Sequence, residues 1–168
     1  MTTDIALFLA HAVALEQEAA DRYDELADAM ETHNRPEICE LFHKLAHFSR
    51  LHLAEVKGIA EGHDLPKLKP WEFQWEGGES PEAAPTELAH YMMTPYHCLH
   101  MALFNEKKGR DYYAQQAETG KTEEVRKLAA LFAAEESEHV VMLEKWLSTV
   151  EPPSGDWDED MDPPVITD

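Results

Sequence analysis

Along most of the chain apolar residues recur every three to four positions, the period of a helix with one buried face. No stretch alternates at every second position, as a strand would. The pattern predicts four helices. The first covers about 3–32 and is closed by Asn34-Arg35-Pro36, where Pro36 suits the first turn of a second helix running to about residue 62. The third covers about 86–119, interrupted at Thr94-Pro95 because proline lacks the N–H that the helical ladder needs. Gly120 ends it. Thr122-Glu123-Glu124 opens the fourth with acids in the first turn, where the helix dipole favours them, and that helix runs to about residue 150. Between the second and third lies a Pro-, Gly- and Trp-containing connection, 63–85. A structureless loop of that length is uncommon inside a compact domain. It has a use if it carries the chain along the length of a bundle, so that helices two and three run the same way. The expectation is an all-α, single-domain bundle over 1–150.

Composition changes this picture at the ends and on the surface. Residues 151–168 hold seven acids, four prolines and no Lys or Arg, a composition that predicts a disordered acidic tail, the alternative being an arm laid on a partner subunit. Over the full 168 residues, 34 acids face 14 Lys plus Arg, for a formal charge of -20. That balance argues against a partner among nucleic acids or anionic membranes, which call for a basic face. The apolar start, 5–15, has no basic leader and runs straight into Glu16-Gln17-Glu18, so it reads as helix rather than as a signal peptide. No run is long and apolar enough for a membrane span, and the expected location is the cytoplasm. Cys39 and Cys98 form no C-x-x-C and read as small buried apolar residues, so neither a zinc ribbon nor a rubredoxin-type iron site is supported.

The chemistry lies where polar residues interrupt the apolar stripes. On a 100° wheel the first helix buries Ile5, Leu9, Ala12, Ala19, Tyr23, Ala27 and Met30 on one face, with Glu16 in the middle of it. The third places Glu106 among Leu99, Ala102, Tyr113 and Ala117. The fourth places Glu136 and His139 among Val125, Ala129, Phe132, Val140, Leu143 and Leu147, and the second centres His52 among Leu45, Phe48, Val56 and Ile59. Three carboxylates and two imidazoles thus point into one interior. An unpaired charge there costs several kcal/mol or more, so each must be protonated, paired or bound to metal. Most Lys and Arg lie off these stripes, which leaves metal as the economical solution. Carboxylate oxygen with imidazole nitrogen suits iron or manganese, with zinc also compatible.

The spacing repeats. Glu16-x6-Tyr23 matches Glu106-x6-Tyr113, and Ser49-x-x-His52 stands opposite Glu136-x-x-His139. The intervals Glu16 to Ser49 and Glu106 to Glu136 are 33 and 30 residues, so the chain reads as two similar helix pairs. Di-iron carboxylate bundles use one Glu on each of two helices and Glu-x-x-His on each of the others. On these motifs the chain, over about 3–150, resembles the erythrin domain of rubrerythrins, in the ferritin-like superfamily. The resemblance implies a ferritin-like four-helix bundle with one long crossover between helices two and three, and two irons per chain. Glu16, His52, Glu106, Glu136 and His139 are implied as metal ligands, with Glu136 bridging. Tyr23 and Tyr113, core aromatics on periodicity alone, are implied as groups beside the centre that bear on its chemistry. Ser49 departs from the pattern. A second bridging Glu belongs there, and serine is a poor ligand for these metals. Three carboxylates leave one positive charge over on two divalent ions. A hydroxide, a solvent molecule or another side chain fills the gap, with Glu55 the nearest carboxylate, or one metal position is weak and the centre is mononuclear.

Similarity to rubrerythrins implies an oxidoreductase that reduces peroxide or dioxygen, or oxidises ferrous iron. Without the two cysteine pairs of a rubredoxin module, peroxidase turnover needs a separate electron-donor protein, whereas ferrous iron is its own reductant. The rival functions are metal sequestration or delivery without catalysis, and a degenerate bundle kept as an interaction module. His43 and His47 lie opposite His52 and read as surface or subunit-contact residues, and a homodimer is expected. His97 and His100 read as structural. Trp71, Trp75 and Met92-Met93 read as packing groups under the long connection.

Overall fold

A computed structural model describes residues 2–32, 34–73 and 94–150. They form four long helices: α1 (Asp4–Thr32), α2 (Pro36–Ala60), α3 (Pro95–Thr119) and α4 (Glu123–Leu147), with one short 3-10 turn at Pro70–Glu72. The expected tail at 151–168, the expected connection from residue 74 on with Trp75, and the first part of the expected third helix, 86–93 with Met92 and Met93, lie outside the described residues.

Local chemistry sets the helix ends. Asn34 takes φ 58°, and behind it Arg35 N–H donates to Met30 C=O at 2.9 Å while Asn34 N–H donates to Glu31 C=O at 3.0 Å. This left-handed cap closes α1, and asparagine tolerates it well. Pro36 then begins α2, where no N–H is needed. Pro95 is likewise the first residue of α3, at the expected interruption. Thr94 caps that helix, accepting from His97 N–H, while the His97 ring accepts from Thr94 N–H at 3.1 Å. Thr122 caps α4 by accepting from Val125 N–H at 3.1 Å. At Gly120 a Cβ would lie 2.6 Å from Gln116 C=O and 2.8 Å from Val125, so the α3–α4 turn demands glycine for space.

α1 packs closely on α2, and α3 on α4, giving two hairpins. The hairpins meet mainly through long side chains. Glu16 pairs with Tyr113 and Tyr23 with Glu106, so α1 and α3 are antiparallel. His52 faces Glu135 and Phe48 faces His139, so α2 and α4 are antiparallel too. With each hairpin itself antiparallel, α2 and α3 run the same way, and the connection between them crosses the length of the bundle. The fold is a ferritin-like four-helix bundle with one long crossover.

The core is split. One apolar cluster gathers residues such as Tyr23, Met30, Phe42, Leu99 and Leu143. The other gathers Phe8, Leu15, Val56, Tyr113, Val125 and Phe132. Between them runs a buried polar layer: Glu16, Ser49, His52, Glu106, Glu136 and His139. Trp71 corrects one expectation. It is 76% exposed and packs under nothing among the described residues; its apolar face meets only the Lys69 ammonium, 5.4 Å from the ring centroid. Among the described residues no helix is long and apolar enough to cross a membrane.

Candidate metal centre

Each of the four helices delivers its polar residue from the middle of its buried face, which is why the five predicted side chains converge. Glu106 is 0% exposed, and Glu16 and Glu136 are each 1% exposed. They fall into two triads that share one carboxylate. Glu16, His52 and Glu136 present ligand atoms that all lie within 4.8 Å of one another, and so do Glu106, Glu136 and His139. His52 Nδ1 stands 3.1 Å from Glu16 and 3.7 Å from Glu136, and His139 Nδ1 stands 3.5 Å from Glu106 and 3.9 Å from Glu136. Glu136 therefore sits between two donor sets, each with one glutamate and one imidazole nitrogen.

Tyr23 and Tyr113 complete the layer reciprocally. The Tyr23 hydroxyl, from the first hairpin, donates to Glu106 of the second; the Tyr113 hydroxyl, from the second, donates to Glu16 of the first at 3.1 Å. Each tyrosine orients the glutamate of the other hairpin. Burial, with the negative Glu16 and Glu136 nearby, pushes the Tyr113 phenol well above its ordinary value, so it keeps its proton and remains a donor. An aromatic wall backs one side: Phe132 lies 5.4 Å from Tyr113, 5.9 Å from Phe8 and 4.9 Å from His52, centroid to centroid.

The electrostatics are those of carboxylates gathered around imidazole. Burial would lower the pKa of His52, but Glu16 first, then Glu135 and Glu55, outweigh it and hold it above the ordinary value. Burial likewise opposes the charge on His139, and Glu106 overrides it. For Glu106, burial favours the neutral acid, and Glu136, His139 and Tyr23 together bring its pKa below the usual range.

A family model described as rubrerythrin matches residues 97–161, a span that includes Glu106, Tyr113, Glu136 and His139. Among solved structures, an uncharacterized conserved protein from Magnetospirillum magnetotacticum is similar at 46% identity and a TM-score of 0.75, over 90% of this chain and 98% of its own. The chain belongs to the rubrerythrin family. No curated protein matches it.

The donor set of this rubrerythrin-family chain fits a resident metal. Both ring nitrogens of His52, Nδ1 of His139 and Oε2 of Glu106 are buried and have no hydrogen-bond partner within the protein. Buried polar atoms are ordinarily bonded, so four such atoms in one layer form a donor set that a cation would satisfy. Ser49 is buried in the layer at the position where a carboxylate is missing. Glu55 does not fill that gap from inside. It is exposed and lies 3.7 Å from His52 Nε2, on the face of the ring turned away from Glu16.

One residue escaped sequence reasoning altogether. Glu135 precedes Glu136 on α4, off the apolar stripe, yet its Oε2 is buried and lies 2.5 Å from His52 Nε2. Burial raises its pKa to about 7, Glu55 and Glu16 reinforcing the shift and His52 opposing it. The signal available was the doubled acid in Glu135-Glu136-x-x-His139, half of it facing α2 instead of the bundle axis.

The histidines expected off the site lie off it. His43 and His47 are exposed, and His97 is engaged in the α3 cap.

Proposed function

We propose that this chain is a di-iron oxidoreductase, holding two iron ions in the polar layer and reducing peroxide or dioxygen there, with ferrous iron or a separate donor protein as the source of electrons. The observation that carries the reading is the shared carboxylate: Glu136 lies between Glu16/His52 and Glu106/His139, in a layer where the His52 nitrogens, His139 Nδ1 and Glu106 Oε2 make no hydrogen bond of regular geometry. Manganese or zinc suits the same donors, and iron is favoured because the family resemblance implies it. A pair of ferrous ions bound there supplies two electrons, the number needed to reduce peroxide to water.

The protein's own groups have definite parts. Glu16 and Glu106 would each hold an ion, with Glu136 placed to serve both. His52 and His139 add neutral nitrogen donors from the α2 and α4 sides. Tyr23 and Tyr113 fix the orientation of the two glutamates, and Tyr113 keeps its proton, ready to donate to an oxygen that gains charge. Phe8, Phe132 and Tyr113 exclude water on one side. On the other, a cavity of about 400 Å³ bordered by Phe48, His52 and His139 opens to solvent and admits a small oxidant.

The test is metal content followed by oxidation. Protein purified from iron-replete cells should carry two irons per chain, and the ferrous form should be oxidised by stoichiometric peroxide within seconds. Faster reaction with dioxygen in the presence of excess Fe(II) would place ferrous-iron oxidation ahead of peroxide reduction. Tight metal binding without oxidation would mean sequestration instead. Absence of metal, with folding indifferent to chelators, would overturn the reading.

A further inference from the structure

The polar layer leaves one surface cluster unexplained. On the outer side of His52, Nε2 meets Glu135 at 2.5 Å and Glu55 at 3.7 Å, and the three ligand atoms all lie within 4.8 Å of one another. His52 and Glu55 are one helical turn apart on α2, and Glu135 reaches across from α4. The cluster lines the cavity that opens to solvent, beside Glu138. Acidic surface groups alone would mean little. Here a histidine side chain only 5% exposed aims into the cluster a nitrogen that makes no hydrogen bond of regular geometry, and the buried Glu135 Oε2 makes none either, close as the two atoms lie.

The geometry points to a second, outer divalent-cation site made by His52 Nε2, Glu55 and Glu135, where a ferrous ion from solvent is first held before it passes to the inner layer. Two carboxylates and a neutral nitrogen match the charge and donor preference of such an ion. A metal-bound imidazole ordinarily gives its other N–H to a carboxylate. Glu16, 3.1 Å from Nδ1, stands ready for that part while the ion is outside. With the ion inside, on Nδ1, the roles exchange: the neutral ring carries its one proton on Nε2 and donates a hydrogen bond to Glu135. A neutral ring offers one lone pair at a time, so His52 serves the two positions in turn. Ser49 takes on a meaning in this arrangement: the carboxylate missing from the inner side of α2 is matched by Glu135 on the outer side, shifting acid from the resident centre to its approach.

This inference deepens the reading of the inner centre, and the experiment separates the two. Crystals of the metal-free full-length chain are soaked briefly in Mn(II), and anomalous peaks are located in the wild type, in E55Q/E135Q and in E16Q/E106Q. The expected result is a peak at Nε2 in the wild type and in E16Q/E106Q, absent from E55Q/E135Q. In solution, E55Q/E135Q should reach the same inner Mn(II) occupancy at least tenfold more slowly, followed by loss of the free Mn(II) EPR signal. Inner peaks without an outer one, or equal loading rates, would overturn the outer site and leave the inner centre standing. An outer peak with no inner peaks would uphold the site and sink the inner centre. No peak anywhere overturns both.

Discussion

Replacing Tyr23 by Phe removes one hydroxyl and leaves in place the ring, stacked on Phe42 with centroids 6.1 Å apart. That hydroxyl donates to Glu106, a fully buried carboxylate whose other oxygen has no hydrogen-bond partner. A hydrogen bond to a charged group contributes about 1.5–3 kcal/mol. Glu106 keeps only the longer contact with His139 Nδ1, 3.5 Å away, so Y23F in the metal-free protein should cost about 2–3 kcal/mol, the upper part of that range. Y113F removes the matching donor from Glu16, but Glu16 keeps the His52 ring nitrogen 3.1 Å away. Its cost should be nearer about 1–1.5 kcal/mol. With metal bound, the cation neutralises both carboxylates, and the Y23F cost should fall below about 1 kcal/mol. Urea unfolding of the two variants, with chelator and with anaerobic Fe(II), measures all four numbers at constant m. In a thermal melt the metal-free Y23F loss corresponds to a Tm lower by about 4–10 °C. Equal costs for the two tyrosines, or a Y23F cost that metal does not reduce, would refute the assignment of Glu106 as the carboxylate in greater need of its donor.

The metal-free protein should lose stability as pH rises from about 5 through neutrality. His52 and His139, held above 6.5 when folded, contribute stability that is complete below that value and lost as pH rises through their folded pKa values; Glu135, kept protonated up to about 7, acts with the same sign. Metal affinity should climb over the same window, because the ligands must shed protons to bind; urea midpoints and Mn(II) titrations at four pH values check both slopes, and parallel slopes would contradict the account. Ser49→Glu adds a fourth buried carboxylate to the layer, so the metal-free chain should lose about 2–4 kcal/mol while metal is held more tightly, read by chelator competition; unchanged retention would show that the position is not a ligand site. Phe132→Ala, which empties the space among Phe8, Tyr113 and His52, should cost about 3–5 kcal/mol in denaturant unfolding.

The inner residues were legible because a charge at the centre of an apolar stripe has few physical excuses. Glu16, Glu106 and Glu136 announced themselves against Leu, Ala and Val at helical spacing, and the repeated Glu-x6-Tyr marked the two tyrosines. The repeat did not say that each tyrosine would serve the other hairpin's glutamate, since that depends on how the hairpins dock. Glu135 was invisible for a related reason. It sits about 100° round the helix from Glu136, where an acid on an acidic chain looks like solvated surface; only the approach of α2 turns it toward His52. Thr94-Pro95 was legible as an interruption because proline cannot continue the ladder, and α3 starts there. Trp71 shows that aromatic content alone does not place a residue under a loop.

The reciprocal tyrosine bonds have a consequence for assembly of the chain. Neither hairpin alone holds a finished set of oriented ligands, because each hydroxyl and the carboxylate it steers come from opposite halves. A slip of one hairpin along the other by a single turn, about 5.4 Å, breaks both bonds together and parts His52 from Glu135 as well. The polar layer thus acts as a register key: apolar faces of similar width would tolerate several alignments, and only one of them closes this lock. Metal retention therefore reports more than ligand chemistry. It certifies that the two halves have met in the native alignment.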